Sequence, residues 1–252
     1  MDQAANKVAE GTQGGRATRA THGPSAMAAH AIPKTFHYIW LGSGIPQEHE
    51  RYIDTWKVHH PEWNFCFWDD VNNVVEMPLS LRHIYEDAHE YVPDVGANVW
   101  QLRSDILRLQ VVAKFGGVYI DTDLECLRPI DELASSYEGF AAWEEDDVYI
   151  NNAIFGFPRG HRTMYIMMDI LEQRAGMLKG AGKRANVISG PHLWTQAWED
   201  FGPEELDMTV HPSRYFYPYR WDHLHRGGEE FPDSYAVHHW NNQRRKAGLA
   251  LP

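Results

Sequence analysis

The sequence predicts an α/β domain whose chemistry sits at the end of one strand, and three observations lead there. Apolar residues Leu102, Ile106, Leu109 and Ala113 recur at i, i+4, i+7 and i+11, and Leu107 and Val111 widen the stripe, so residues 98–115 form a largely buried helix. Gly116 and Gly117 break that pattern, and a short β-prone run, Val118-Tyr119-Ile120, leads into Asp121-Thr122-Asp123. Other helix-like and strand-like segments alternate along 252 residues that are 43% hydrophobic, enough for one α/β core.

In chain order, residues 1–31 are rich in Ala, Gly and Thr and lack an apolar h-region. They read as a disordered arm, not a secretory signal, and residues 32–252 as a single domain. Lys34–Trp40 reads as the first strand, stopped by Gly42 and Gly44, and Gln47–His59 as a helix with Tyr52, Ile53 and Trp56 inward. Glu62–Trp68 alternates like a second strand, and Asp69-Asp70 after it read as turn and helix-start residues. Leu81–Tyr91 is helical and precedes the long helix.

Beyond the Asp-x-Asp, residues 139–143 and 149–156 suit strands, separated by an acidic run, Glu144–Asp147, expected in a solvated loop. Met164, Met167, Met168 and Leu171 share the core face of a helix that Gly176 is expected to end. Lys179–Gly190 is a Gly-rich basic loop that ends in the turn Ser189-Gly190-Pro191. Ser234–Trp240 reads as a last strand ending in His238 and His239.

Composition limits the function. With 23 basic and 35 acidic residues the net charge is −12, which argues against nucleic acid as a partner. Two cysteines, Cys66 and Cys126, provide no disulfide framework, so a reducing, cytoplasmic setting is the default. No run of about 18 apolar residues encodes a membrane span, so a membrane acceptor would be met peripherally.

The chemistry concentrates at residues 105–123. Along an extended chain Tyr119, Asp121 and Asp123 share one face, Val118 and Ile120 the other. No lysine or arginine adjoins the two aspartates in sequence, and a hard divalent cation is the usual remedy for their repulsion. Asp105 and Arg108, three residues apart on the helix, either pair on a solvated face or serve a ligand.

Ser104-Asp105-Ile106-Leu107-Arg108 followed by Gly116-Gly117-Val118-Tyr119-Ile120-Asp121-Thr122-Asp123 resembles the DXD sugar-binding region of glycosyltransferase family 32. The opening Ile32-Pro33-Lys34, with His37, Ile39 and Trp40, and the closing Ala236, His238 and Trp240 are similar too; Asn241-Asn242-Gln243 departs from the family's ending. The resemblance implies a GT-A, Rossmann-like fold with a mixed central sheet, and a retaining transferase that moves a hexose-type sugar from a nucleotide-diphosphate donor to a glycan, lipid or protein. It implies manganese or magnesium at Asp121 and Asp123. Asp105, Arg108, Tyr119 and Trp40 would contact the donor, as would Asn151 or Asn152, and the amides of Ser189 and Gly190. A third metal ligand is expected from the C-terminal strand: His238, in the family's histidine position, or His239, which alternation sends to the opposite face. Two other classes fit parts of the pattern: a sugar-nucleotide-binding module without turnover, and a haloacid-dehalogenase-type phosphatase, whose Asp-x-Asp holds a nucleophile and an acid/base.

Overall fold

A computed structural model describes residues 31–70, 78–136 and 139–252. Nearly all of the expected N-terminal arm, and the residues directly after Asp70, lie outside the described residues. Strand β1 (Thr35–Ile39), helix α1 (Gln47–His59) and strand β2 (Asn64–Trp68) come first, then helices α2 (Leu79–Glu86), α3 (Ala88–Tyr91) and α4 (Asn98–Phe115). Strands β3 (Gly117–Ile120) and β4 (Leu124–Cys126), helix α5 (Asp131–Ser136), and strands β5 (Phe140–Glu145) and β6 (Tyr149–Phe157) follow. The remainder is α6 (Arg162–Leu178), α7 (Ala185–Ile188), α8 (Pro191–Leu206), β7 (Thr209–His211), β8 (Ala236–His238) and α9 (Asn241–Lys246).

Six strands form one mixed sheet in the order β2-β1-β3-β6-β5-β7. β1 runs parallel to both β2 and β3, and β6 is antiparallel to β3 and β5. β4 and β8 make a separate antiparallel ribbon that pairs Leu124 with His238.

The side-chain alternation expected along β3 holds, but both faces are buried. Tyr119 packs with Leu102, Ile106, Leu109 and Phe155 on one side of the sheet. Val118 and Ile120 pack with Phe36, Tyr38 and Ile154 on the other. A strand covered on both faces needs apolar or internally paired side chains throughout, which fixes the strand's register and its exit point.

Two sequence expectations need correction here. The methionine helix does not end at Gly176: it continues to Leu178, and the chain turns instead through Gly180 at φ +75°. The acidic run is not wholly loop, because Glu144 and Glu145 complete β5 and only the turn after them leaves the sheet.

Candidate active site

The helix-to-strand joint sets the geometry. α4 stops because Gly116 adopts φ 66°, ψ −172°, a conformation open in practice to glycine alone. β3 then runs four residues, and its ladder closes where the Asp121 amide donates to the Ala153 carbonyl at 2.7 Å. Asp123 is not on the strand. A turn, closed by the Leu124 amide on the Asp121 carbonyl at 3.2 Å, carries its carboxylate back beside that of Asp121.

α4 contributes a buried ion pair, not the solvated one that an isolated helix would show. Arg108 and Asp105 are 4% and 1% exposed. Arg108 Nη2 lies 3.0 Å from Asp105 Oδ1, and Nη1 lies 3.3 Å from Asp121 Oδ1 and donates to the Asn152 carbonyl at 2.7 Å. Its guanidinium sits 4.3 Å from the centre of the Tyr119 ring. The tyrosine hydroxyl donates to Asp121 Oδ1 at 2.5 Å. No cation adjoins the aspartates in sequence, but Arg108 reaches Asp121 in space from thirteen residues upstream on a different element. Asp105 is held from two further sides, by Asn152 Nδ2 at 3.0 Å and by the Ser189 hydroxyl at 2.6 Å.

The C-terminal ribbon adds His238. Its Nε2 lies 3.1 Å from Asp123 Oδ1 and 4.0 Å from Asp121 Oδ2. The contact with Asp123 is a charge contact and not an aligned hydrogen bond, and among the described residues neither ring nitrogen has a hydrogen-bond partner. His239 turns away, with Nε2 2.8 Å from Glu125 Oε2 and its ring stacked on Tyr52.

Electrostatics separate the two aspartates. Burial, with the like charge of Asp123 adding to it, raises the Asp121 carboxyl in spite of Arg108. Burial acts on Asp123 in the same sense, but His238 and the Asn241 amide outweigh it and hold that carboxyl below its ordinary range. For His238, burial alone would lower the pKa; the Asp123 carboxylate outweighs it and raises the ring.

Each aspartate has one oxygen occupied: Asp121 Oδ1 by Tyr119 and Arg108, Asp123 Oδ2 by the backbone amide of Asn241 at 2.9 Å. The oxygens left over, Asp121 Oδ2 and Asp123 Oδ1, lie 4.0 Å and 3.1 Å from His238 Nε2, and one ligand atom from each of the three residues lies within 4.8 Å of the other two. Two carboxylates and one imidazole suit a divalent cation of the manganese or magnesium kind, and a buried imidazole with no hydrogen-bond partner fits that use.

The other expected donor residues surround this cluster in different ways. Trp40 is half-buried; its Nε1 donates to Ser43 Oγ at 3.0 Å, and its ring meets His49 edge-on. Asn152 supports Asp105, whereas Asn151 donates to Glu144 Oε2 at 2.7 Å. The Ser189 and Gly190 amides both donate to the Ala185 carbonyl, so it is the Ser189 hydroxyl that ties this turn to Asp105. Sequence reasoning assigned no site role to His49, Thr122, Asn241 or Glu144: the first three are placed by partners 73 and 118 residues apart, and Glu144 by the β5–β6 pairing that brings it to Asn151.

Residues 46–140 match the family described as glycosyltransferase sugar-binding region containing DXD motif. The chain is similar to a Homo sapiens alpha-1,4-N-acetylglucosaminyltransferase, 30% identical over 212 residues, which covers 74% of this chain. The chain spans only 58% of that enzyme's length. Among solved structures it is similar to the PaToxG glycosyltransferase, with a TM-score of 0.53 at 16% identity, covering 71% of this chain and 76% of the other. A UDP-bound glycosyltransferase domain from the YGT toxin gives a TM-score of 0.50 at 10% identity, with coverage of 72% and 80%. At these identities the likeness is one of fold, and the fold is GT-A. Residues 46–140 of this chain are thus similar to the glycosyltransferase sugar-binding region containing the DXD motif, within a GT-A fold.

Proposed function

We propose that this chain transfers a hexose-type sugar from a nucleotide-diphosphate sugar to a hydroxyl of a glycan, lipid or protein acceptor. The observation that carries the reading is the convergence of Asp121 Oδ2, Asp123 Oδ1 and His238 Nε2, each aspartate having its second oxygen tied back. A manganese or magnesium ion held there would neutralise charge that develops on the departing diphosphate.

The protein's own groups do the positioning. Arg108 fixes Asp121 and places a permanent positive charge behind the pair, and Asp105, Asn152 and Ser189 fix Arg108 in turn. Trp40, Tyr119 and Asn151 are assigned to the donor side. Retention of anomeric configuration is proposed because the human relative is named for an α linkage, and common nucleotide-sugar donors are themselves α-linked. Cys66 and Cys126 are free thiols, which fits a reducing, cytoplasmic setting. Among the described residues no helix is long and apolar enough to cross a membrane, which fits peripheral contact with any lipid acceptor.

The test is nucleotide release from a panel of UDP- and GDP-sugars with manganese, run beside p-nitrophenyl phosphate. Turnover of one nucleotide sugar and none of the phosphate ester is expected. Calorimetric binding without release would favour a sugar-nucleotide-binding module, and turnover of the ester a phosphatase.

A further inference from the structure

Three segments that are remote in sequence meet behind Asp123, and none of their side chains belongs to the ligand cluster. His49 stands on α1 and is 4% exposed; Asn241 begins α9 and is fully buried. His49 Nδ1 lies 2.8 Å from the hydroxyl of Thr122, the residue between the two aspartates. His49 Nε2 lies 3.4 Å from Asn241 Nδ2 and 3.2 Å from Arg245 Nη2. A guanidinium can only donate, so Nε2 accepts, the ring is neutral, and its proton sits on Nδ1, where it is donated to Thr122.

The backbone completes the connection. Trp240 takes up the left-handed conformation, φ 56°, ψ 41°, and the next amide, that of Asn241, donates to Asp123 Oδ2 at 2.9 Å. The His239 amide donates to the Asp123 carbonyl at 3.0 Å. Arg245 also pairs with Glu48 at 2.7 Å, which anchors α9 to the start of α1. An unrestrained carboxylate rotates about its last torsion and presents either oxygen. Here one oxygen is occupied by an amide whose own position is set by the Asn241 side chain on His49.

We infer that His49 and Asn241 are positioning residues: they clasp the C-terminal segment onto the Asp121–Asp123 turn and so fix which Asp123 oxygen faces the cation. The inference rests on the cation reading above. Outer hydrogen bonds of this kind orient ligands and typically change metal affinity by about 10- to 100-fold when removed.

The test is manganese affinity by titration calorimetry on the full chain, with melting temperature measured alongside. Asn241→Ala and His49→Ala should each weaken manganese binding by roughly tenfold or more. His49→Gln, whose side-chain oxygen can accept in place of Nε2, should recover most of that loss. In turnover assays the manganese requirement of the alanine variants should rise while kcat at saturating manganese stays close to wild type. Alanine variants that melt lower yet bind manganese as wild type does would overturn the clasp and leave a structural role only. Should those variants fail to fold, His49→Asn decides: its amide keeps a donor for Thr122, but its oxygen falls short of the Nε2 position, so affinity should fall, and unchanged affinity overturns the inference. A folded wild type that binds no manganese at all would remove the cation reading itself, a result distinct from intact binding in every variant.

Discussion

Asp123 Oδ1 lies 3.1 Å from His238 Nε2, while the other oxygen of the same carboxylate accepts the Asn241 amide at 2.9 Å. At Asp123 these two groups outweigh burial, whereas at Asp121 burial and the neighbouring carboxylate outweigh Arg108 and the Tyr119 hydroxyl. The sequence alone predicts that neutralising either aspartate relieves repulsion and raises the melting temperature. The structure predicts a difference between them. Without metal, Asp123→Asn should lose about 2 kcal/mol by leaving His238 without its counter-charge. Asp121→Asn should be neutral or mildly stabilising. Chemical unfolding in the presence of a chelator measures both, and equal effects would contradict the assignment.

Arg108 engages Asp105, Asp121, the Asn152 carbonyl and the Tyr119 ring at once. A lysine ammonium cannot reproduce that fork. Arg108→Lys should therefore cost about 2 kcal/mol or more, and Arg108→Ala about 3–5 kcal/mol, as for a broken buried pair. Arg162, paired with Glu205 on the surface, is the control, and Arg162→Lys should change stability by under about 0.5 kcal/mol. Urea midpoints of the three variants provide the comparison.

Gly116 joins α4 to β3 at φ 66°, and a Cβ there would stand 2.6 Å from the Arg159 amide nitrogen and 2.9 Å from the Pro33 ring. Gly116→Ala should cost at least about 2 kcal/mol, or roughly 5 °C in a chain of this size. Gly160, at φ 73° with open space around it, isolates the backbone strain from the clash. Gly160→Ala should cost about half as much, and a thermal melt of each variant distinguishes the two contributions.

The helices of this fold were the most legible part of the sequence. Those at 47–59 and 98–115 have the expected bounds, because an apolar stripe repeated over several turns specifies a helix locally. The strand leading to Asp121 was legible for a similar reason. The turn at Asp123 was not, since a strand pattern carries no mark of where its last ladder bond falls. Buried charge was also hidden: Arg108 and Asp105 look like any surface pair until Asn152 and Ser189 arrive from distant elements. His49 reaches Thr122 across 73 residues and Asn241 reaches Asp123 across 118, separations that no local period encodes. Glu144 was misplaced because an acidic run reads as solvated, whereas the β5–β6 pairing draws its first member against Asn151.

His37 supplies a pH dependence outside the cluster. Its Nε2 donates to the Gly116 carbonyl at 2.8 Å, and its Nδ1 accepts from Trp68 Nε1 at 3.2 Å. Burial pushes its pKa down from 6.5 to about 4, the Gly116 bond only partly opposing. As pH falls below 6.5 the unfolded chain takes up this proton while the folded chain does not. The stability this neutral histidine contributes is therefore complete above pH 6.5 and is lost as pH falls towards 4, by about 2 kcal/mol at pH 5. Urea unfolding at pH 7.5 and pH 5 should show a smaller drop for His37→Gln than for wild type. An identical drop in both would mean that His37 does not carry the effect.

The most direct measurement is an anomalous difference map at the manganese edge from crystals grown with manganese and a nucleotide diphosphate. One strong peak is expected in contact with Asp121 Oδ2, Asp123 Oδ1 and His238 Nε2, and none at the His239–Glu125 pair. A peak at His239 and Glu125, or no peak beside the Asp-x-Asp turn, would contradict it.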